Sequence, residues 1–533
     1  MTIYAIEVQA HTGAGGVQTF YAADARLNTG PGDTPANQHF HPSLKTPANF
    51  ERHLFSEGTT SGASSVASGE VVLANAHGRY DAWADYAFDG RPIIIRAVPQ
   101  DHQNEPIGLY KDAPIMIRGT IESLDITDAF RTVRLRIHDR LADLDAKPLL
   151  TTRYLGTTTS AGATAEGPAT LKDTIKPRAY GKIPNVTPID VNPFNLIRQV
   201  SDRACTSIVV YDGGQPLSLQ GDYPTIAAIA TATLTAGQYA TSLALGLIRL
   251  GGTPAFIVTA DVVAAGPRDA ASFVKQILTD FGITSADIDT ASIAALTALN
   301  GASCGLWVND ERTALNAISA ILMSVGGWIV SNSQGVFTVG RLDLPAGTPA
   351  AAFTEWQERG DVNRIAPGDA NGSIPAYRVT VRYGQLATVF SEDQIAGAVS
   401  ASTSPAMGAR RAALQQEWQE AKAEDMSVQA VHLLAPELTF DTCLTEATDA
   451  AAEAARLLAI YKVRRDIWNF RVSVTGPSYR TLQGSADVFA PTLRMGSVIS
   501  LQMGRFLTTP KLLTIIGRVD DAVADAIEFS AWG

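Results

Sequence analysis

Short apolar and β-branched runs, broken by Gly, Asp, Asn and Pro, fill the first 150 residues, and that punctuation predicts strands. Ile93-Ile94-Ile95, Ile115-Met116-Ile117 and Val133-Arg134-Leu135-Arg136-Ile137 are the clearest. The last alternates apolar with charged positions, so one face meets a core and the other meets water. Asp89-Gly90, just ahead of the isoleucine run, supplies the positive φ of a tight turn. Met1-Thr2-Ile3-Tyr4-Ala5-Ile6-Glu7-Val8 reads as a first strand and lacks the basic-then-apolar pattern of a secretory signal. A β-barrel or sandwich is the expected product. The stretches Gly58 to Gly69 and Thr157 to Thr170 are rich in Gly, Ser, Thr and Ala and read as mobile loops, free to order against a neighbouring subunit.

The period changes from Phe256 to Val339, where the pattern becomes strand, helices, strand, helix and hairpin. Phe273, Ile277 and Phe281 recur at helical spacing, with Pro267 placed as a first helical residue and Gly282 as the left-handed cap. A second helix is predicted from about Glu311 to Val325, with Leu315, Ile318, Leu322 and Val325 on one stripe and Gly326-Gly327 as its stop. Trp328-Ile329-Val330 and Val336-Phe337-Thr338-Val339 then pair as a hairpin. Beyond Pro345, Arg378 to Tyr383 reads as a strand, and Ala409 to Asp425 and Glu446 to Asp466 read as long helices because strong helix formers fill them. Ala454, Leu457, Leu458 and Tyr461 give the second an apolar stripe, and the last 65 residues return to strands.

With 533 residues, 46% hydrophobic and 18% charged, the chain is globular and long enough for several folding units. Its net charge of -11 is spread without a basic cluster, which speaks against duplex nucleic-acid binding. Cys205, Cys304 and Cys443 are odd in number and far apart, so neither a disulfide framework nor a paired metal motif is expected, and free thiols fit a reducing cytoplasm. Thr225 to Ile248 is uncharged, but its many Thr, Gly, Ser and Gln residues argue against a membrane span.

Candidate chemistry is sparse. Gly301-Ala302-Ser303-Cys304-Gly305 matches the GxSxG elbow, in which a strand-to-helix turn exposes a nucleophile, yet here an apparent helix precedes it and a strand follows. Between it and the end of the chain the only histidine is His432. His39-Phe40-His41 offers two metal ligands, with His53 and Asp33 at no recognised spacing. His11 and Gly13-Ala14-Gly15-Gly16 read as a turn, since no Lys-Ser/Thr pair follows. The pairs Asp520-Asp521 and Asp139 with Asp143 carry no catalytic signal by spacing alone. No catalytic, cofactor-binding or metal-ligating residue is assigned, and no enzyme is expected.

Three stretches resemble the baseplate hub, or tail-tip, proteins of long-tailed bacteriophages and phage-like gene transfer agents. The first runs from Gly69-Glu70-Val71-Val72-Leu73-Ala74-Asn75 to Tyr86-Ala87-Phe88-Asp89-Gly90-Arg91-Pro92. The second begins at Lys176-Pro177-Arg178-Ala179-Tyr180-Gly181 and Asn185-Val186-Thr187-Pro188, and continues through Val210-Tyr211-Asp212-Gly213-Gly214 and Leu247-Ile248-Arg249-Leu250-Gly251 to Val258-Thr259-Ala260-Asp261. The third joins Ala455-Arg456-Leu457-Leu458, Val463-Arg464-Arg465-Asp466, Gly496-Ser497-Val498 and Trp532-Gly533. The resemblance implies a homotrimeric ring at the distal end of the tail tube, with two tube-like β-barrels per chain adapting sixfold to threefold symmetry. It also implies distal tail and tail tube proteins, tape measure protein and other tail-tip and fibre proteins as partners. DNA would be met only in transit, without stable membrane insertion, in a virion component assembled in the host cytoplasm.

The expected fold class is therefore multidomain α+β, with tail-tube-like barrel or sandwich domains, a small α/β domain and a few long helices. The expected domains are 1–150, a β-rich hub barrel; 151–265, a β-rich connecting domain with flexible loop 157–170; 266–345, small α/β; and 346–533, a second barrel with helices 409–425 and 446–466. Two other readings compete: a host-surface adhesin or carbohydrate-binding protein using Trp83, Trp356 and Trp418 as platforms, and a cell-wall hydrolase using Ser303 or a carboxylate pair.

Overall fold

The computed structural model describes residues 2–101, 105–354, 362–369, 373–473, 493–521, 524 and 526–533. It is a multidomain α+β chain with several sheets. The strands expected from the alternating pattern form as Thr2–His11, Pro92–Pro99, Ile115–Thr127 and Thr132–His138. In the last of these Val133, Leu135 and Ile137 are buried, whereas Arg134 and Arg136 face outward toward Glu70 and Asp125. The charged residues of an alternating strand thus sit where water can solvate them.

One strand order occurs twice. In the N-terminal half, Thr2–His11, Pro92–Pro99, Ile115–Thr127, Thr132–His138, Ser68–Ala74 and Leu44–His53 lie side by side, each antiparallel to the next. In the C-terminal half, Ala351–Thr354, Val498–Gln502, Lys511–Asp521, Ala526–Trp532, Ile467–Ser473 and Asn363–Ile365 repeat both that spatial order and the same order along the chain. The one difference of direction is the first pair, which is parallel in the second copy. Each copy wraps its own core. Ile6, Val8, Phe50, Leu73, Ile95 and Leu135 belong to the first, and Phe353, Phe470, Leu501, Leu513 and Phe529 to the second.

The two modules share a single 15-stranded sheet. Lys511–Asp521 lies against Ala526–Trp532 on one edge; on the other it carries Val498–Gln502 along Lys511 to Thr514, then Leu44–His53 along Gly517 to Asp521. This corrects the expectation of closed barrels. From Asn49 onward Leu44–His53 is bonded to Ser68–Ala74 on one side and to Lys511–Asp521 on the other, so no edge there is left to close on Thr2–His11. The path of the sheet ends instead at Leu27–Asn28 and Asn363–Ile365.

Between the modules the predicted order holds: strand Val258–Ala264, helices Ala270–Asp280 and Thr290–Leu299, strand Gly305–Val308, helix Ala314–Met323 and hairpin Gly327–Ser331 with Phe337–Arg341. The cap differs from the expectation. Asp269, not Pro267, starts the first helix, its carboxylate accepting from Ser272 N. At the other end Gly282, at φ +96°, and Ile283 donate back to the Thr279 and Leu278 carbonyls, a left-handed cap that needs glycine. Gly305–Val308 and Val258–Ala264 both pair with Arg178–Val186, so this unit and the preceding segment are built on one five-stranded sheet. Thr225 to Ile248 divides into the short helix Ile226–Ala230, the strand Gln238–Ser242 and the start of Leu247–Leu250. Among the described residues no helix is long and apolar enough to cross a membrane.

One helix expectation is revised and another is met over a shorter span. The helix over 409–425 ends early: Pro405–Leu414 is helical, but Gln419–Glu424 is a strand antiparallel to Arg378–Tyr383. Ala421 and Ala423 point toward the core while Glu420, Lys422 and Glu424 face water, so the available strand edge overrides local helix propensity. The helix over 446–466 is present as Ala447–Tyr461, its Ala454, Leu457, Leu458 and Tyr461 buried as expected. Residues of both Gly- and Ser-rich stretches make hydrogen bonds within the chain. Thr60 and Ser61 donate to the Asp369 carboxylate, and Asn192 and Asn195 donate to carbonyls of Ala161, Gly162 and Thr164.

Candidate functional site

Ser303 lies in the turn from helix Thr290–Leu299 to strand Gly305–Val308, the reverse of a nucleophile elbow. Its backbone N donates to Asp449 Oδ2 at 3.0 Å, and its carbonyl accepts from Thr445 N. His432 is exposed at the end of the separate helix Met426–Val431. The last glycine of the motif, Gly305, serves packing. Gly305 stands opposite Gly181, and a Cβ on either would overlap backbone oxygen, of Lys182 or of Cys304.

His39 and His41 sit on one short strand with ring centroids 6.4 Å apart. His39 Nδ1 bonds Asn28 Oδ1 at 2.6 Å, and His53 is taken up by Glu51. Asp33 accepts from the backbone N of Tyr110 and Lys111, which fixes the turn there. Among the described residues no three His, Cys, Asp or Glu side chains converge as a metal site. His11 accepts from Gly13 N within the turn that joins the first two strands. Trp83, a platform in the competing adhesin reading, is buried against Phe20, Tyr80 and Phe88. Trp418 is half-buried, and Trp356 lies outside the described residues.

Where the two modules join, the structure brings a set of charged side chains together. Arg52 and Asp520 are 468 residues apart in sequence, yet Arg52 Nη1 donates to Asp520 Oδ2 at 3.3 Å. Arg518 donates to the other oxygen, Asp520 Oδ1, from Nε at 2.9 Å and Nη2 at 2.6 Å. Arg52 also reaches the Met116 carbonyl and stacks on Phe50. All three charged groups are buried, with 4 to 6% of their surface exposed. Burial lowers the Arg52 guanidinium to about 10, with Asp520 drawing it back up, so it stays charged at neutral pH. Of these residues the sequence drew attention to Asp520 alone. Arg52 carried no signal, because nothing local links it to Asp520.

Asp139 belongs to the same buried region. Burial pushes its carboxyl up to about 7, against the pull of Arg52 and of its hydrogen bond from Leu141 N. Because this lies above the ordinary 3.8, the folded chain holds a proton that the unfolded chain releases, and the contribution to stability falls as pH rises from about 4 to 7. Asp139→Asn should therefore gain stability relative to the parent by about 2–3 kcal/mol between pH 5 and 8, read from urea unfolding at both values. A difference that does not change with pH would mean that the carboxyl titrates normally.

No family model matches the sequence, and no curated protein matches it. Among solved structures the chain is similar to a tail protein from Neisseria meningitidis MC58, with 9% identity and a TM-score of 0.42 over 95% of each chain. It is also similar to the 43 kDa tail protein of prophage MuSo2 from Shewanella oneidensis, at 9% identity and 0.40, covering 100% of this chain and 98% of that one. A third is the prophage tail protein gp18 from Listeria monocytogenes EGD-e, at 7% identity and 0.40, covering 100% and 94%.

Proposed function

We propose that the chain is a structural component of a bacteriophage tail, the hub that closes the distal end of the tail tube as a homotrimer. The observation that carries this reading is the twice-used strand order, in which six strands of the N-terminal half recur in the C-terminal half with one reversed pairing. Two like modules per chain, taken three times around an axis, present six similar surfaces, which is what a threefold ring needs to meet a sixfold tube. The ordered likeness to tail-tip hub proteins in Gly69 to Pro92, Lys176 to Asp261 and Ala455 to Gly533 supports the same reading. In this role the ring leaves an axial passage for tape measure protein and DNA, contacts distal tail and fibre proteins, and performs no catalysis.

Light scattering on the purified chain, followed by imaging of the isolated particle and of virions, tests it. The expected result is three copies in a ring at the tail end. A stable monomer absent from virions would overturn it.

A further inference from the structure

Between strands Gln419–Glu424 and Glu437–Asp441 the chain passes over the end of the three-stranded sheet through helix Met426–Val431 and the turn that follows it. Val431, Leu433 and Leu434 stand there 75, 86 and 79% exposed, a run of apolar side chains of the kind that marks a contact surface. The turn is fixed by the backbone: His432 N donates to the Val428 carbonyl and Ala435 N to the His432 carbonyl, while Asp425 caps the helix. The knob is therefore formed before anything covers it, so docking costs little ordering.

A hollow of matching character lies on the N-terminal module. Asp81, Ala84, Leu124, Asp125, Ile126 and Phe130 line an open concavity of about 660 Å³. Leu124 and Ile126 are its half-buried floor, packed on the core of that module. Phe130, 74% exposed, ends a turn in which Asp128, Ala129 and Phe130 all take left-handed backbone, at φ 53°, 53° and 68°. A bulky residue is strained at such an angle, and strain of this kind collects where a surface is held ready for a partner.

Charge matches as well as shape. From Met426 to Ala435 the one ionisable side chain is His432, a hydrogen-bond donor beside the two leucines, and the ionisable side chains of the hollow are the carboxylates of Asp81 and Asp125. Knob and hollow are both exposed, so neither is filled by the other within a chain.

We propose that the Val431 to Leu434 knob of one copy seats in the Phe130 hollow of the next. The inference rests on the homotrimer proposed above and names the surfaces that join its copies. Because the two surfaces differ, the contact is heterologous, and three such contacts close the ring. Leu433 and Leu434 lie against Leu124, Ile126 and Phe130, and His432 donates to the aspartates at the rim.

Light scattering on the full chain and on two variants tests this. The parent is expected as a trimer. Leu433→Asp with Leu434→Asp, and separately Phe130→Asp, whose left-handed backbone suits aspartate, should each weaken self-association by roughly tenfold or more and leave monomers. Their thermal unfolding should match the parent, since the replaced side chains are exposed. Mixed in equal amounts, the two variants keep one intact knob and one intact hollow between them, so a dimer that cannot grow into a ring is expected. A monomeric parent would overturn both the homotrimer and this contact. A trimeric parent whose variants stay trimeric, or form no dimer when mixed, would overturn the contact alone.

Discussion

Asp520→Ala is expected to destabilise the chain by about 3–5 kcal/mol, because it leaves the Arg52 and Arg518 guanidiniums buried side by side without the carboxylate that accepts from both. The size of the effect comes from the stranded charges more than from the lost bonds, since a charge stranded away from water keeps its full desolvation penalty. Asp521 provides the internal comparison. It is the next residue on the same strand but points the other way and serves the turn at Ala524, so Asp521→Ala should fall within about 0.5 kcal/mol of the parent. Urea unfolding followed by tryptophan fluorescence reads both variants. Equal small effects would show that the junction is solvated and the network ornamental.

Gly181→Ala is the second large change, with an expected loss of about 2–5 kcal/mol. Two costs combine there. The residue sits at φ +71°, where a Cβ is strained, and that Cβ would overlap the Cys304 carbonyl oxygen and crowd the Phe273 ring. Ser303→Ala, in the turn next to Cys304, should stay within about 0.5 kcal/mol, because the bonds that place Ser303 run through its backbone. This pair of variants separates the two meanings of the GxSxG spelling. A nucleophile would make the serine indispensable and tolerate small changes across the sheet; a close strand crossing makes the glycines indispensable and the serine dispensable. Thermal unfolding of the Gly181→Ala variant reads the packing role, and peptidoglycan release by the Ser303→Ala variant reads the nucleophile.

Local periodicity carried the sequence reading where it succeeded. Thr132–His138 alternates, Ala447–Tyr461 has a helical stripe, and the succession of elements from Val258 to Arg341 is marked by caps and glycine stops. It failed where the deciding partner is distant. Gln419–Glu424 has helix-forming residues, but the edge of Arg378–Tyr383 recruits it as a strand. A barrel or sandwich was expected from the strand pattern of the first 150 residues, and a second barrel from the resemblance to tail-tip hubs; the pairing of Gly517 with His53, which joins the two modules in one sheet, leaves no trace in either local sequence. The buried network was illegible for the same reason. Arg52 and Arg518 are single residues in two ordinary strands, and only the fold makes them neighbours.

The shared strand Lys511–Asp521 also constrains the order in which the molecule can be made. Leu44–His53 leaves the ribosome early, yet the edge that Asn49 to His53 present is covered only after more than four hundred further residues have been synthesised. At roughly 5–20 residues per second that interval lasts on the order of tens of seconds, during which an unpaired, partly apolar strand edge is open to pairing with another chain. Arg52 and Glu51 place charge along that edge. The same arginine that later becomes buried against Asp520 thus serves, before its partner exists, as a charged guard against premature strand addition.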